Sequence, residues 1–222
     1  MSPGSNPERW WRVAGGICLI AAGIDEVVAV IANPDSGGTT KQLLVNLATN
    51  PGGARVEGLL GVLLPVLLVP GLLPFIQVPV SRGRNTVYVG VCLSLIGGIG
   101  HAILSTTNLI ALPLADLSQD RAVTGPLLAK IGANLIPLAL PLTAIAVIGL
   151  LVVIAGLWRA GWAPVWLVAV YGIWMLLAIL PLASLLGSLT FIKEIPFLAV
   201  FGWLGVELIR RSSVPVRSEP GA

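Results

Sequence analysis

Long apolar runs, separated by short polar segments, follow one another along almost the whole chain. A helix needs about 20 mainly apolar residues to cross the hydrocarbon core of a bilayer. Six runs meet that length, at residues 12–32, 56–78, 87–110, 134–157, 165–187 and 191–209. The pattern therefore predicts an all-α, polytopic membrane protein in which residues 12–209 form a bundle of six transmembrane helices.

Short polar segments flank this predicted domain. Residues 1–11 are a predicted N-terminal tail, and residues 210–222 are a predicted disordered C-terminal tail. The first apolar run is longer than the hydrophobic region of a signal peptide, carries two acids and is followed by no small-x-small cleavage site. We therefore interpret it as a first transmembrane helix that stays in the protein.

The composition supports the membrane class. Hydrophobic residues make up 56% of the chain, charged residues make up 10%, and the mean hydropathy is +0.94. The net charge of +3 does not indicate nucleic-acid binding, because the basic residues are dispersed at the ends of the predicted spans and form no patch with interleaved aromatics. The lipid bilayer is the predicted partner, and no nucleic acid is expected.

The distribution of basic residues predicts the orientation of the chain. Eight arginines lie on one predicted side: Arg9, Arg12, Arg82, Arg84, Arg159, Arg210, Arg211 and Arg217. Five basic residues lie on the other side: Lys41, Arg55, Arg121, Lys130 and Lys193. Because cytoplasmic loops carry the excess of positive charge, both termini are predicted to be cytoplasmic. The arginine-rich side also holds five predicted interface anchors, Trp10, Trp11, Trp158, Trp162 and Trp166.

Two longer outer loops, at about residues 33–55 and 111–133, are each predicted to contain a short helix on the outer surface. In the first of them, the segment 39–49 places Leu43, Leu44 and Leu47 on one side of a helix. We expect this side to be covered by the bundle or by the membrane surface.

The first predicted span contains two adjacent acids, Asp25 and Glu26, in the stretch "AAGIDEVVAVI". At about 100° per residue, both acids lie on a face of small and polar residues, and bulky aliphatic residues lie on the opposite face. Small residues allow close helix contact in a membrane, and polar side chains can bond across such a contact. This face is therefore predicted to be buried against protein.

The third predicted span has a similar face around His101, the single histidine of the chain. Six small or polar residues lie within about 60° of it: Gly90, Ser94, Gly97, Gly98, Ser105 and Asn108. At 1.5 Å per residue, Asp25 and His101 lie at about the same depth in spans that run in the same direction. The pattern predicts that spans one and three touch, with Asp25 or Glu26 about 3–5 Å from His101.

The candidate pocket residues are therefore Asp25, Glu26, Glu57, His101, Ser105 and Asn108. Glu57 belongs to this group because it begins the second span, one or two turns above the others. The group could be structural, fixing helix register, or it could relay a proton or ion. It could also bind a metal through Glu57, His101 and one of the two neighbouring acids, but a single histidine with scattered acids is a weak metal pattern. We expect no metal and no other cofactor.

Enzyme signatures are missing from the sequence. It contains no G-x-S-x-G elbow, no H-E-x-x-H motif and no phosphate-binding glycine loop, so no catalytic residue is predicted.

Two further charged groups are interpreted as structural. Lys193 and Glu194 form a predicted interfacial pair at the outer mouth of the last span, and Glu207 precedes Arg210 and Arg211 at the spacing of ordinary helix pairs.

Several segments carry a resemblance to a known group of proteins: "TTKQLLVNLATNPGGARVEGLLG", "LWRAGWAPVWLVAVYGI" and "KEIPFLAVFGWLGVELI". With an acid late in span one, this layout resembles six-helix integral membrane proteins of bacteria, in particular actinobacteria, whose function is unknown. The resemblance implies a six-span fold in a bacterial plasma membrane. It implies no activity, ligand or catalytic residue.

The predicted function is that of a small, non-enzymatic multi-pass membrane protein. One hypothesis is proton-linked handling of a small solute through an outward-facing polar pocket. The alternative is a membrane scaffold or partner-binding subunit with a sealed interior. A water-accessible cavity at Asp25 or Glu26 would favour the first, and a dry packed contact would favour the second. Neither hypothesis implies a particular oligomeric state.

Overall fold

The computed structural model describes residues 7–33, 40–77, 82–116, 121–179 and 187–212, and nearly all of them are helical. The described residues form α1 (Pro7–Ala32), α2 (Thr40–Thr49), α3 (Pro51–Ile76), α4 (Arg84–Asp116), α5 (Arg121–Arg159), α6 (Val165–Ile179) and α7 (Ile195–Ser212), with a 3₁₀ helix at Gly187–Glu194. The all-α prediction is confirmed.

Both predicted tails are partly helical. Helix α1 begins at Pro7, inside the predicted N-terminal tail, and α7 continues to Ser212, inside the predicted C-terminal tail. The prediction of disorder in the rest of the C-terminal tail concerns residues 213–222, which lie outside the described residues.

Four helices, α1, α3, α4 and α5, are long and apolar enough to cross a membrane. Helix α6 is apolar but has 15 residues, and the end of the predicted fifth span, residues 180–186, lies outside the described part. Helix α7 has 18 residues and carries three charged side chains near its end. The outward faces expose large apolar side chains, including Ile17, Ile24, Leu63, Val66, Ile96 and Ile99. The fold is compatible with membrane insertion.

Six of the described helices pack side by side in a closed ring. Around the ring, α1 contacts α3, then α4, α5, α6 and α7 follow in chain order, and α7 contacts α1 again. Gly16 of α1 lies against Gly205 of α7, and Gly23 lies against Leu198. The two helices are therefore antiparallel, and both termini of the described chain lie at one end of the ring. We call this the terminal end, and the opposite end, which carries α2, the α2 end.

An apolar cluster fills the ring toward the terminal end. Its most buried members include Leu19, Leu72, Phe75, Val91, Ile154, Leu157, Leu167, Phe201, Leu204 and Leu208. Contributions come from every helix of the ring, so the cluster holds the six helices together by apolar burial.

The prediction that Trp162 is an interface anchor is wrong. Its side chain is buried in the apolar cluster, at 6% exposure, and it packs edge-on against Phe75 with ring centroids 5.2 Å apart. The other four predicted anchors, Trp10, Trp11, Trp158 and Trp166, are exposed. The cause lies at the end of α5. Gly161 has a φ of +70°, and the N–H of Trp162 donates to the carbonyl of Leu157, which turns the chain back toward the bundle.

Helix α2 confirms the short helix predicted in the first outer loop. Leu44 and Leu47 are buried, and Leu43 packs beside them. They form a second apolar cluster with Ala54, Ala111, Leu112, Ala115 and Leu128. The α2 helix therefore covers the ends of α3, α4 and α5 at the α2 end.

The short helix predicted in the second outer loop is wrong for the described residues. Helix α4 continues to Asp116 and α5 begins at Arg121, so most of the segment 111–133 belongs to these two long helices. Apolar residues of both extensions are buried against α2. This contact lets the helical pattern continue beyond the predicted spans.

The small face of α4 is buried against protein, as predicted. Gly97 lies against Ala146 of α5, and Gly98 lies against Pro65 of α3. The predicted contact between spans one and three is wrong, however. In the described structure α4 packs against α3 and α5, and α3 lies between α4 and α1. Helical periodicity identified the buried face but could not identify which helix covers it.

The close contact at Gly97 gives a test of this packing. A Cβ added at Gly97 would meet the backbone of Ala146 and Leu142, and backbone atoms cannot move aside without shifting α5. We expect Gly97→Ala to lower the free energy of unfolding by at least about 1 kcal/mol, measured by unfolding in mixed micelles. Gly172→Ala is the matched control, because nothing lies within 4 Å of its added Cβ. Equal effects of the two substitutions would contradict the α4–α5 packing.

Candidate functional site

A cavity of about 270 Å³ lies inside the ring, next to the apolar cluster. Each of the six ring helices contributes to its wall, as does the 3₁₀ helix. The polar side chains of the wall are Glu26, His101, Thr143, Trp174, Lys193 and Glu194. Apolar residues supply the rest of the wall, among them Leu64, Leu68, Val147, Leu150 and Phe197.

Glu26 of α1 and His101 of α4 both line this cavity. They were predicted at one depth, and the shared cavity agrees with that prediction. In the described part of the structure neither side chain makes a hydrogen bond or an ion pair with protein, so no direct bond links the acid to the histidine. Helix α3 separates α1 from α4, and the two side chains meet at the cavity and not across a helix contact.

Asp25 does not line the cavity, although it is adjacent to Glu26. Its side chain is buried, at 5% exposure, and among the described residues its Oδ2 has no hydrogen-bond partner. Neighbouring residues on a helix point about 100° apart, so only one of the two acids can face a given point. In the structure, Glu26 is the acid of this pair that lines the cavity.

Lys193 and Glu194 contribute charge to the same cavity. Glu194 is buried; its Oε2 accepts a hydrogen bond of 2.6 Å from Nε1 of Trp174, and its Oε1 lies 3.6 Å from Nζ of Lys193. The predicted ion pair is present. However, sequence reasoning treated the pair as interfacial and missed its place in the cavity wall. The one sequence feature that could have indicated this position is an acid at the start of a predicted span. The hydrogen-bond partner Trp174 lies 20 residues away, so sequence spacing could not identify it.

With Glu26 and Glu194 both ionised, the cavity wall carries two negative charges against the one positive charge of Lys193. Glu26 and Glu194 lie close enough to repel each other when both are ionised, and Lys193 attracts both. Asp25 and Glu57 add further negative charge near Glu26. Lys193 is the single cation on the described wall, and its nearest partner is Glu194.

Glu57 and Asn108 belong to a separate polar network near the α2 end. Oε2 of Glu57 accepts a hydrogen bond of 2.8 Å from Nδ2 of Asn33 and a longer one of 3.5 Å from Nδ2 of Asn108. Asn50 donates to the carbonyl of Ala32 and caps the start of α3 by accepting from the N–H of Gly53. This network joins the end of α1 to α3 and α4. Asn33 and Asn50 were not among the predicted site residues.

Ser105 also lies beside the cavity and not in its described wall. Its hydroxyl donates a hydrogen bond of 3.0 Å to the carbonyl of His101, one turn earlier in α4, and the side chain packs against Gly61 of α3. The six predicted pocket residues are thus divided. Glu26 and His101 line the cavity, Glu57 and Asn108 form the network, and Asp25 and Ser105 are buried or packed between helices.

A metal site from three of these side chains is not supported by the geometry. The part of the chain that the structure describes has no group of three histidine, cysteine, aspartate or glutamate side chains that could hold an ion. Glu57 is engaged by asparagines of the α2-end network.

The predicted helix pairs of Glu207 are confirmed at the terminal end. Oε1 of Glu207 accepts from Arg210 at 2.8 Å and from Arg211 at 2.7 Å. Arg211 also donates to the carbonyl of Trp162 and lies over its ring, 4.6 Å from the centroid. These contacts tie the end of α7 to the turn between α5 and α6.

In its described residues the protein is all-α, with four helices long and apolar enough to span a membrane and a charged cavity inside the helix ring. Comparisons with protein-family models, with curated proteins and with solved structures found no match to this chain.

Proposed function

We propose that this chain is a six-span protein of a bacterial plasma membrane that takes a small solute into the ring cavity and links its occupancy to protonation of Glu26. Both termini lie in the cytoplasm, and the cavity opens toward the outer side, at the α2 end. The protein is not an enzyme in this proposal.

The observation that carries the proposal is Glu26 in the cavity wall without a hydrogen-bond or ion-pair partner among the described residues. An ionisable side chain inside a membrane is costly, at about 2.5–3.5 kcal/mol for a charged residue near the centre of a span. Such residues are usually paired or functional. Glu26 faces a space large enough for a small solute, and a proton or a solute can satisfy it there.

The closed ring supports the six-span part of the proposal. Helix α6, with 15 residues, is about 22 Å long at a rise of 1.5 Å per residue, and together with α7 it completes the wall of the cavity. Removing these two helices from the membrane would expose the apolar cluster and the buried Glu194. Burial of that surface therefore favours all six ring helices lying in the bilayer.

The charge distribution supports the orientation. Contacts place the turns around Gly83 and Gly161 at the terminal end, since Gly83 lies against Gly156 and Arg211 binds the carbonyl of Trp162. The arginines near these turns and near the two termini thus gather at one end of the ring. The positive-inside rule assigns that end to the cytoplasm.

Cysteine accessibility tests both cavity access and orientation. In a Cys18→Ser, Cys92→Ser background, Thr143→Cys places a thiol in the cavity wall. We expect a small, membrane-impermeant methanethiosulfonate reagent to label Thr143→Cys in intact cells, because water reaches the cavity from outside.

Three control variants define the limits of this experiment. Ala48→Cys, on the exposed side of α2, should also react in intact cells, and Asn85→Cys, exposed at the terminal end, should react only after permeabilisation. Leu72→Cys, in the apolar cluster, should stay unreactive. If Thr143→Cys reacted as slowly as Leu72→Cys, the interior would be sealed and the scaffold alternative would stand. If Asn85→Cys reacted in intact cells and Ala48→Cys reacted only after permeabilisation, the orientation would be the opposite of the proposed one.

A further inference from the structure

We infer that the solute is a small organic cation, bound as an ammonium group between the carboxylate of Glu26 and the aromatic wall formed by Trp174 and Phe197. This inference rests on the proposed function and names the class of solute for the same cavity.

Charge is the first argument. Four ionisable side chains line the described cavity: Glu26, His101, Lys193 and Glu194. Lys193 lies 3.6 Å from Glu194, so these two largely neutralise each other. An ionised Glu26 then leaves one uncompensated negative charge in an apolar surrounding. A cation relieves this imbalance, whereas an anion would be repelled by both carboxylates.

The aromatic wall is the second argument. The ring centroids of Trp174 and Phe197 lie 5.0 Å apart, and both side chains line the cavity. The indole N–H of Trp174 is held by Glu194 at 2.6 Å, which fixes the orientation of the ring. Indole and phenyl faces attract cations, and methylated ammonium groups are typical ligands of such surfaces.

The apolar part of the wall distinguishes an organic cation from a hydrated inorganic one. Leu64, Leu68 and Val147 face the same space, and they can contact methyl groups but cannot replace the water ligands of a metal ion. A volume of about 270 Å³ lies just below the range of drug-sized pockets. The cavity thus fits a small methylated or primary amine.

A proton balance follows from this arrangement. An unpaired carboxylate in the apolar cavity is costly, and a proton satisfies Glu26 while the cavity is empty. When an ammonium ion binds, the carboxyl O–H bond breaks, the proton leaves to solvent, and the carboxylate pairs with the cation. The charge of the cavity is conserved, because one positive charge enters as one leaves.

The test is calorimetric titration of the purified full-length protein with choline and with its uncharged carbon isostere, 3,3-dimethylbutan-1-ol. Choline should bind at least about tenfold more tightly than the alcohol, and Glu26→Gln should weaken choline binding roughly 10- to 100-fold, as for the loss of a contact to a charged group. Titration in buffers of different ionisation heat should show release of about one proton per choline, and this release should disappear in Glu26→Gln.

A substitution at Lys193 is expected to strengthen choline binding, which is the opposite of the effect expected for Glu26→Gln. Lys193→Gln removes the cation from the wall and should strengthen choline binding several-fold, whereas Lys130→Gln removes an exposed cation of α5 outside the wall and should leave it unchanged. The unfolding transition of every variant is measured alongside, so that loss of binding is separated from loss of fold.

The outcomes separate this inference from the proposed function. Equal binding of choline and the alcohol, or no binding of either while Thr143→Cys is labelled, would overturn the cationic solute and leave a water-filled cavity. An unreactive Thr143→Cys would overturn the proposed function itself. Tight choline binding that Glu26→Gln does not change would overturn the role of Glu26.

Discussion

Glu194→Ala is expected to lower the free energy of unfolding by about 3 kcal/mol. Glu194 is buried, and it joins the 3₁₀ helix to α6 through the hydrogen bond from Trp174 and binds Lys193 beside it. Alanine would leave the indole N–H without an acceptor in an apolar surrounding and Lys193 without its counterion. Unfolding of the full-length protein in mixed micelles, followed by tryptophan fluorescence, measures the change.

A second substitution at Glu194 shows which of its contacts matters, and a substitution at Glu207 is the control. Glu194→Gln keeps an acceptor for Trp174 but loses the charge, so its effect should be clearly smaller than that of alanine. Glu207→Ala removes an ion pair whose arginines are 73% and 40% exposed, and it should change stability by about 0–1 kcal/mol. Equal losses for Glu194→Ala and Glu194→Gln would mean that the hydrogen bond from Trp174 contributes nothing.

Elements with a strong apolar pattern could be predicted from the sequence. The run lengths located α1, α3, α4 and α5, and the leucine spacing located α2 with Leu44 and Leu47 buried. These features depend on local periodicity, which a single sequence contains. The predicted lengths of α4 and α5 were too short. The additional turns of both helices are stabilised by contact with α2, and such a tertiary contact cannot be recognised from local sequence periodicity.

The choice of neighbouring helices could not be predicted in the same way. The faces of α1 and α4 were correctly identified as buried, but several helices of a ring can cover such a face equally well. In the structure α1 packs against α3 and α7, and α4 packs against α3 and α5. Equal depth along parallel spans therefore brought Glu26 and His101 to one cavity without bringing their helices together.

The residues that form the site could also be predicted only in part. Counting around the helix could place both Asp25 and Glu26 on a polar face, yet only the packed structure determines that Glu26 meets the cavity. Glu194 lines the cavity and accepts a hydrogen bond from Trp174, whereas Glu57 accepts hydrogen bonds from Asn33 and Asn108. Such partners lie 20 or more residues apart in sequence, so no spacing rule links them.

The second large effect is expected at the α2-end network, where Glu57→Ala should lower the free energy of unfolding by about 3 kcal/mol. Asn33 is buried at 3% exposure, and Glu57 accepts a hydrogen bond from its Nδ2 at 2.8 Å. Without that acceptor the amide of Asn33 is left buried and unsatisfied, and Asn108 loses the same acceptor. Unfolding in mixed micelles again provides the measurement.

Double-mutant cycles compare this contact with the pair that the sequence had suggested. Once Glu57 is absent, Asn33→Ala should add little, because its amide has already lost its acceptor; we expect a coupling energy of about 1–3 kcal/mol. The cycle of Glu26→Ala with His101→Ala should give a clearly smaller coupling energy, since no hydrogen bond joins the two side chains in the described structure. If strong coupling appeared between Glu26 and His101 and none between Asn33 and Glu57, the division of these polar residues into a cavity and a separate network would be wrong. Weak coupling at the cavity combined with strong coupling at the network would instead mean that Glu26 and His101 share a cavity without pairing, while Glu57 holds α1, α3 and α4 together.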